Sequence, residues 1–180
     1  MSSYCDIALN HPVHGPFHDT EHGFPVKSDS LLFERFLLEI NQAGLSWEIV
    51  LKKRDGFRQA YAGFDIDKVA AFDELDRVRL LNDAGIIRNR LKINAAIENA
   101  RRIIELREQF GSFSGWLDAH HPLEKVDWVK LFKANFQFTG GEIVGEFLMG
   151  TGYLPNAHKS TCPVFTKILA LSPPWHEETK

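Results

Sequence analysis

Asp83-Ala84-Gly85-Ile86-Ile87-Arg88-Asn89 is the stretch whose reading decides the fold. Before it, Asp73 can open a helix through Leu75, Val78 and Leu81, and Gly85 stops it. After the brief turn Ile86-Ile87-Arg88-Asn89 a helical apolar period runs to about Gln109. Two helices joined so tightly make a helix–hairpin–helix unit. Working outward, Leu31 to Ala43 carries Leu32, Phe33, Phe36, Leu37, Ile40 and Ala43 on one broad face, with Ser28 or Ser30 as cap and Gly44 as terminator. Ser46 can cap the next helix, with Ile49, Val50, Phe57 and Tyr61 inward and Lys52-Lys53-Arg54 as a solvated face. A short segment around Asp67 to Phe72 forms a further helix. Weaker helical signals lie near Phe113 to Ala119 and Asp127 to Ala134. Another, from Gly140 to Gly150, carries Ile143, Val144, Phe147 and Leu148, and a short helix near Val164 to Leu171 follows a loop after Gly152. No alternating strand pattern lasts, so the expected class is all-α. No repeat, low-complexity tract or linker divides residues 1–180, which read as one domain.

Composition agrees. The 180 residues are 44% hydrophobic and 12% aromatic, enough to bury a sizeable core. No apolar run is long enough to span a membrane, and the start Met-Ser-Ser-Tyr-Cys-Asp lacks the basic and apolar regions of a signal peptide. A cytoplasmic protein with no membrane partner is expected, and a monomer. The net charge of −3 gives no global reason for a nucleic-acid partner. Locally the sign reverses. Between Ala84 and Arg107, six basic residues (Arg88, Arg90, Lys92, Arg101, Arg102, Arg107) face two acidic ones (Glu98, Glu105), a local charge of +4. Such a run is often only a solvated helical face. The Gly85 turn favours phosphate binding, because amides at a turn and a helix N-terminus can hold a backbone phosphate. Gly85, Arg88, Asn89, Arg90 and Lys92 are the expected DNA contacts.

The chain has two cysteines, and each sits near a histidine: Cys5 and His18 with twelve residues between them, and His158 and Cys162 with three between them. Thiolate and imidazole suit zinc, and four protein ligands would close the site for structure rather than catalysis. Spacing alone leaves open whether the two halves meet. Glu39 is a second anomaly. It falls beside Leu32, Phe36 and Ala43 at the edge of an apolar helix face. A carboxylate there either pairs with a neighbouring Arg or faces a ligand pocket.

Phe17-His18-Asp19-Thr20-Glu21, Glu39 with Gln42-Ala43-Gly44-Leu45-Ser46-Trp47, Val50-Leu51-Lys52-Lys53-Arg54, Asp83 to Arg88, and Phe136-Gln137-Phe138-Thr139-Gly140 together resemble the DNA-3-methyladenine glycosylase I family. The resemblance runs in order along most of the chain and fades between Gly111 and Asn135. It implies a helix–hairpin–helix glycosylase fold in which a structural zinc on Cys5, His18, His158 and Cys162 staples residues 1–25 to residues 152–180, with no organic cofactor. It implies an enzyme of base excision repair that flips and excises 3-methyladenine from double-stranded DNA carrying alkylated bases. In that pattern Glu39 recognises the flipped base, Trp47 stacks on it, and Leu45 sits in the loop that wedges the duplex. Asn89 stands where bifunctional relatives carry a Schiff-base lysine, which implies a monofunctional enzyme.

Three positions depart from the family's aromatic pocket: His14, Phe17 and His22. Phe17 keeps a stacking face without a phenol hydroxyl, and the two histidines could bring a titrating charge below about pH 6.5. A different alkylated-base range is one alternative, and a zinc-stapled protein that binds DNA or damage without excision is another.

Overall fold

A computed structural model describes residues 3–179, with backbone alone for 177–179. Met1, Ser2 and Lys180, the extremities of the expected terminal region, lie outside the described residues. All regular secondary structure among the described residues is helical, as the sequence predicts. At the centre runs α3 (Asp29–Gln42), capped where Ser28 accepts the amide of Leu31. Its Leu32, Phe33, Phe36, Leu37, Leu38 and Ile40 are all fully buried. Phe36 anchors an aromatic cluster with Phe113, Phe132, Phe136 and Phe147, ring centres 5.3–6.3 Å away. Emptying that position with Phe36→Ala would cost about 3–5 kcal/mol.

Around α3 pack α6 (Ile66–Ala70), α8 (Arg90–Phe110), α9 (Phe113–His120) and α11 (Gly141–Gly150); α8 also packs on α6, α7 (Glu74–Leu81) and α9, and α11 on α10 (Lys125–Asn135). The helices α9 and α10 fill the segment where the family resemblance fades, and Phe113, Trp116, Trp128 and Phe132 carry it into the core. Asp29, at the start of α3, accepts the amides of Phe113 and Ser114 at 3.0 Å and so ties α9 to α3.

Three local expectations need correction. The helix after Ser46 is two helices, α4 (Trp47–Lys52) and α5 (Arg54–Ala60), with Ile49 exposed. Asp73 does cap α7, but Leu75 and Val78 face solvent and Leu80 is the helix's buried residue. Arg54 is not on a solvated face: its guanidinium makes two 2.6 Å bonds to Glu21 and ion-pairs with Glu34. The buried Glu34 carboxylate requires a cation, which overrides the polar pattern of Lys52-Lys53-Arg54.

Two close approaches position the functional elements. A Cβ on Gly56 would lie 2.3 Å from the Gly85 carbonyl oxygen, so α5 meets the hairpin turn backbone to backbone, and the Lys53 ammonium donates to the Ala84 carbonyl at 2.8 Å. At the N-terminus α1 (Tyr4–Ala8) and α2 (His14–Thr20) lead to Gly23, whose φ of +82° and whose N–H, donating to the Gly150 carbonyl at 2.9 Å, turn the arm onto the C-terminal segment. A Cβ there would be 2.7 Å from that of Ala157. The arm thus reaches His158, Cys162 and α12 (Pro163–Leu169).

Candidate functional site

A pocket of about 720 Å³ opens where three segments meet: Tyr4 and His22 of the N-terminal arm, Glu39 to Trp47 at the end of α3, and Gly140 to Glu146 at the start of α11. Glu39 is buried on α3 and lines it. Its carboxyl makes no hydrogen bond or ion pair with protein among the described residues. Burial pushes its pKa up to about 8, Arg35 pulls it down and the Glu146 charge raises it further. The carboxyl therefore holds its proton well above the usual carboxylate range.

The loop beyond α3 is held from below. The Lys92 ammonium is buried and donates to the carbonyls of Asn41 at 2.9 Å and Ala43 at 2.7 Å. Lys92, an expected DNA contact, thus turns its charge inward, to the orphan carbonyls at the end of α3. Leu45, partly exposed, and Trp47, at the first position of α4, follow on the pocket rim. Phe17 and His14 stand behind rather than in the pocket lining. Phe17 meets Trp47 edge-on at 5.3 Å with the Arg35 guanidinium 4.3 Å above its ring. His14 shares a hydrogen bond of 3.2 Å with the Tyr4 hydroxyl. Tyr4 itself reaches the pocket, and sequence reasoning missed it because its neighbour Cys5 drew the only signal there. His22 lines the pocket but brings no charge. Burial, then Arg35, His158 and His18, lower its pKa to about 3, and burial and His11 lower that of His14.

Cys5, His18, His158 and Cys162 converge, their four ligand atoms all within 4.8 Å of one another. The His158 Nδ1 lies 3.7 and 3.6 Å from the sulfurs of Cys5 and Cys162, and the His18 Nε2 lies 3.8 Å from Cys162. A tetrahedral ion with bonds of roughly 2.0–2.3 Å needs ligand separations of about 3.3–3.8 Å. The outer nitrogens are also engaged: His158 Nε2 with the His22 carbonyl at 2.7 Å, and His18 Nδ1 with Asp19 at 2.7 Å. Such bonds fix the ring orientation of metal-bound histidines. The group can hold a metal ion. His11, His14 and Glu48 form a second group, but His11 Nδ1 accepts the amides of Val13 and His14, which leaves the proton of neutral His11 on its other nitrogen. That nitrogen is a donor, not a lone-pair ligand.

The hairpin lies between α7 and α8. Asp83 accepts the Gly85 amide at 2.7 Å, and Asn89 caps α8 by accepting the amides of Leu91 and Lys92. The amides of Ile87, Arg88 and Arg90 make no hydrogen bond among the described residues. Several of the segment's six basic side chains are engaged within the fold. Arg101 bonds Glu98 and the carbonyls of Ala70 and Phe72, Arg102 bonds Glu105 and Asn135, and Arg107 bonds Asp67. Arg90 is exposed and sits 3.7 Å from Glu74. Arg88 is exposed and pairs with no carboxylate among the described residues.

A helical fold that carries a hairpin with open amides and a pocket with a buried carboxyl and an aromatic wall defines the class, a helix–hairpin–helix protein. The sequence pattern of the methyladenine glycosylase family matches residues 7–128, and the chain belongs to that family. It is 36% identical to DNA-3-methyladenine glycosylase 1 of Escherichia coli, covering 88% of this chain and 94% of that protein. It is 31% identical to the DNA-3-methyladenine glycosylase of Haemophilus influenzae, covering 92% and 100%. Among solved structures, 3-methyladenine DNA glycosylase I of Staphylococcus aureus superposes with a TM-score of 0.80 at 27% identity, over 89% of this chain and 95% of the other.

Proposed function

We propose that this protein is a monofunctional DNA-3-methyladenine glycosylase that flips an alkylated adenine out of double-stranded DNA and hydrolyses its bond to the sugar. The observation that carries the reading is the Glu39 carboxyl, buried, without a partner among the described residues and beside Trp47 in the pocket of a methyladenine glycosylase family member. N3-alkylation makes adenine cationic, so the electrons of the breaking C1′–N9 bond neutralise the departing base. No strong general acid is needed. A carboxylate suffices: it attracts the cation, orients the ring through its donor edge and favours positive charge developing on the sugar, which water then captures. Trp47 supplies the stacking face, and Leu45, partly exposed beside it, the apolar wedge. No lysine lines the pocket among the described residues, which supports hydrolysis without a Schiff base.

Docking falls to the hairpin, where the open amides of Ile87, Arg88 and Arg90 and the side chains of Arg88 and Arg90 meet backbone phosphate. The Cys2His2 group holds zinc in a structural role, joining residues 1–25 to 152–180 within one domain of residues 1–180. The chain works in the cytoplasm as a monomer. Incubating it with methylated DNA and identifying the released bases by chromatography tests the reading. Release of 3-methyladenine is expected; DNA binding with no base released contradicts it.

A further inference from the structure

Two helices that face the pocket both bring carboxyls to it. α3 supplies Glu39, and α11 supplies Glu146 with Glu142 one turn before it. Glu142 points to water, its side chain 90% exposed, and pairs with Lys125 at 3.5 Å. Glu146 differs. It is half-buried and has no hydrogen bond or ion pair among the described residues. Gly145 explains where its nearest cation goes: a Cβ there would lie 2.6 Å from Lys125 Cε and 2.9 Å from Nζ, so the lysine lies across that glycine, its ammonium paired with Glu142. Burial and the Glu142 charge push the Glu146 pKa up against the pull of Lys125, and the Glu146 charge in turn raises that of Glu39. Two carboxyls sharing one partly desolvated pocket repel once both ionise, unless a cation comes between them.

We propose that Glu146 is a second recognition residue of the pocket, and that Glu39 and Glu146 together clamp the positively charged ring of an N-alkylated purine between α3 and α11. This rests on the reading of the cavity as the base pocket. The groups that face the pair are Arg35 on α3, Glu142 on α11, Lys125 on α10, and Tyr4 and His22 on the N-terminal arm. None of these places a cation within ion-pair distance of either carboxyl. A neutral purine leaves the two carboxyls uncompensated, whereas a fixed cation offsets both charges. Selection is thus for charge as well as shape.

The test is calorimetric titration of the full chain at pH 9, above the value of about 8 for Glu39, with two probes. One is the permanently cationic 3,9-dimethyladeninium ion; the other is neutral 9-methyladenine. Wild type should prefer the cation. Glu146→Gln should lose about tenfold in affinity for the cation, and less than twofold for the neutral ring. Glu146→Ser, which removes the carboxyl without an amide in its place, should show the same split. Equal losses for both probes, or none for the cation, overturn the clamp. Base release from methylated DNA, assayed on the same wild-type preparation, reports separately on the glycosylase reading.

Discussion

Glu39 and Arg35 stand one turn apart on α3, both buried, and no ion pair joins them. The Arg35 guanidinium instead lies over Phe17, donates to the Gly150 carbonyl at 3.2 Å and approaches Glu21 at 3.5 Å. Its positive field still reaches Glu39, but burial outweighs it, and the carboxyl is left facing the pocket without a partner. The structural alternative for Glu39, an arginine's ion-pair partner, is therefore not the arrangement found.

Stability should carry the signature of that burial. The Glu39 pKa is about 8 in the folded chain against 4.5 for the free side chain, so the folded state binds the extra proton between those values. Its contribution is fully present below about pH 4.5 and is lost as pH rises through about 8. Relative to Glu39→Gln, wild type should lose on the order of 1–3 kcal/mol, or several degrees in Tm, between pH 5.5 and pH 8.5. Melting curves of the two proteins at both pH values check this; parallel shifts would show that Glu39 is not held protonated.

The same proton governs catalysis. If the ionised carboxylate attracts the cationic base, kcat/KM for excision should rise with pH and level off above about 8, the value for Glu39 in the free enzyme. Single-turnover profiles on methylated DNA measure it. A profile in Glu39→Gln that keeps the same rise would assign it to another group.

Metal binding should act on folding. About one zinc per chain is expected by elemental analysis of freshly purified protein, and Cys162→Ser should lower Tm markedly, because binding energy at a closed site is folding energy. Excision at temperatures where the variant stays folded should change little. Equal Tm with and without the substitution contradicts the structural role.

At the hairpin, Arg88 and Lys92 should behave differently although both are basic residues of one segment. Arg88→Ala should weaken binding to all DNA sequences alike and flatten the salt dependence by roughly one unit. Lys92→Met should leave the salt slope unchanged and instead loosen the Asn41 to Leu45 turn, reducing excision. Filter binding across a salt series, with excision on the same variants, separates them; a flattened slope for Lys92→Met would return that side chain to the DNA face.

The contrast between those residues shows what the sequence could carry. Helix periodicity and caps at Ser28, Ser46 and Asp73 are local, so the helical class, the central α3 and the hairpin were readable. The destination of a long side chain is not local. Arg54 reads as solvated in sequence, and Lys92 and Arg101 as members of a basic segment that meets DNA, yet all three are engaged by carbonyls and carboxylates supplied by distant segments. Tyr4 was silent for the same reason: only the folded N-terminal arm sets it in the pocket. The Cys and His spacing raised the metal question but could not close it, since the two halves come from opposite ends of the chain.

The most direct measurement is single-turnover excision of 3-methyladenine by Glu39→Gln, with Tm taken on the same preparation at pH 8. Excision should fall on the order of tenfold to a thousandfold, less than for an obligatory nucleophile because the leaving group is already activated, while Tm holds or rises. A variant that melts early yet excises at the wild-type rate would make Glu39 a structural residue and contradict its role in the base pocket.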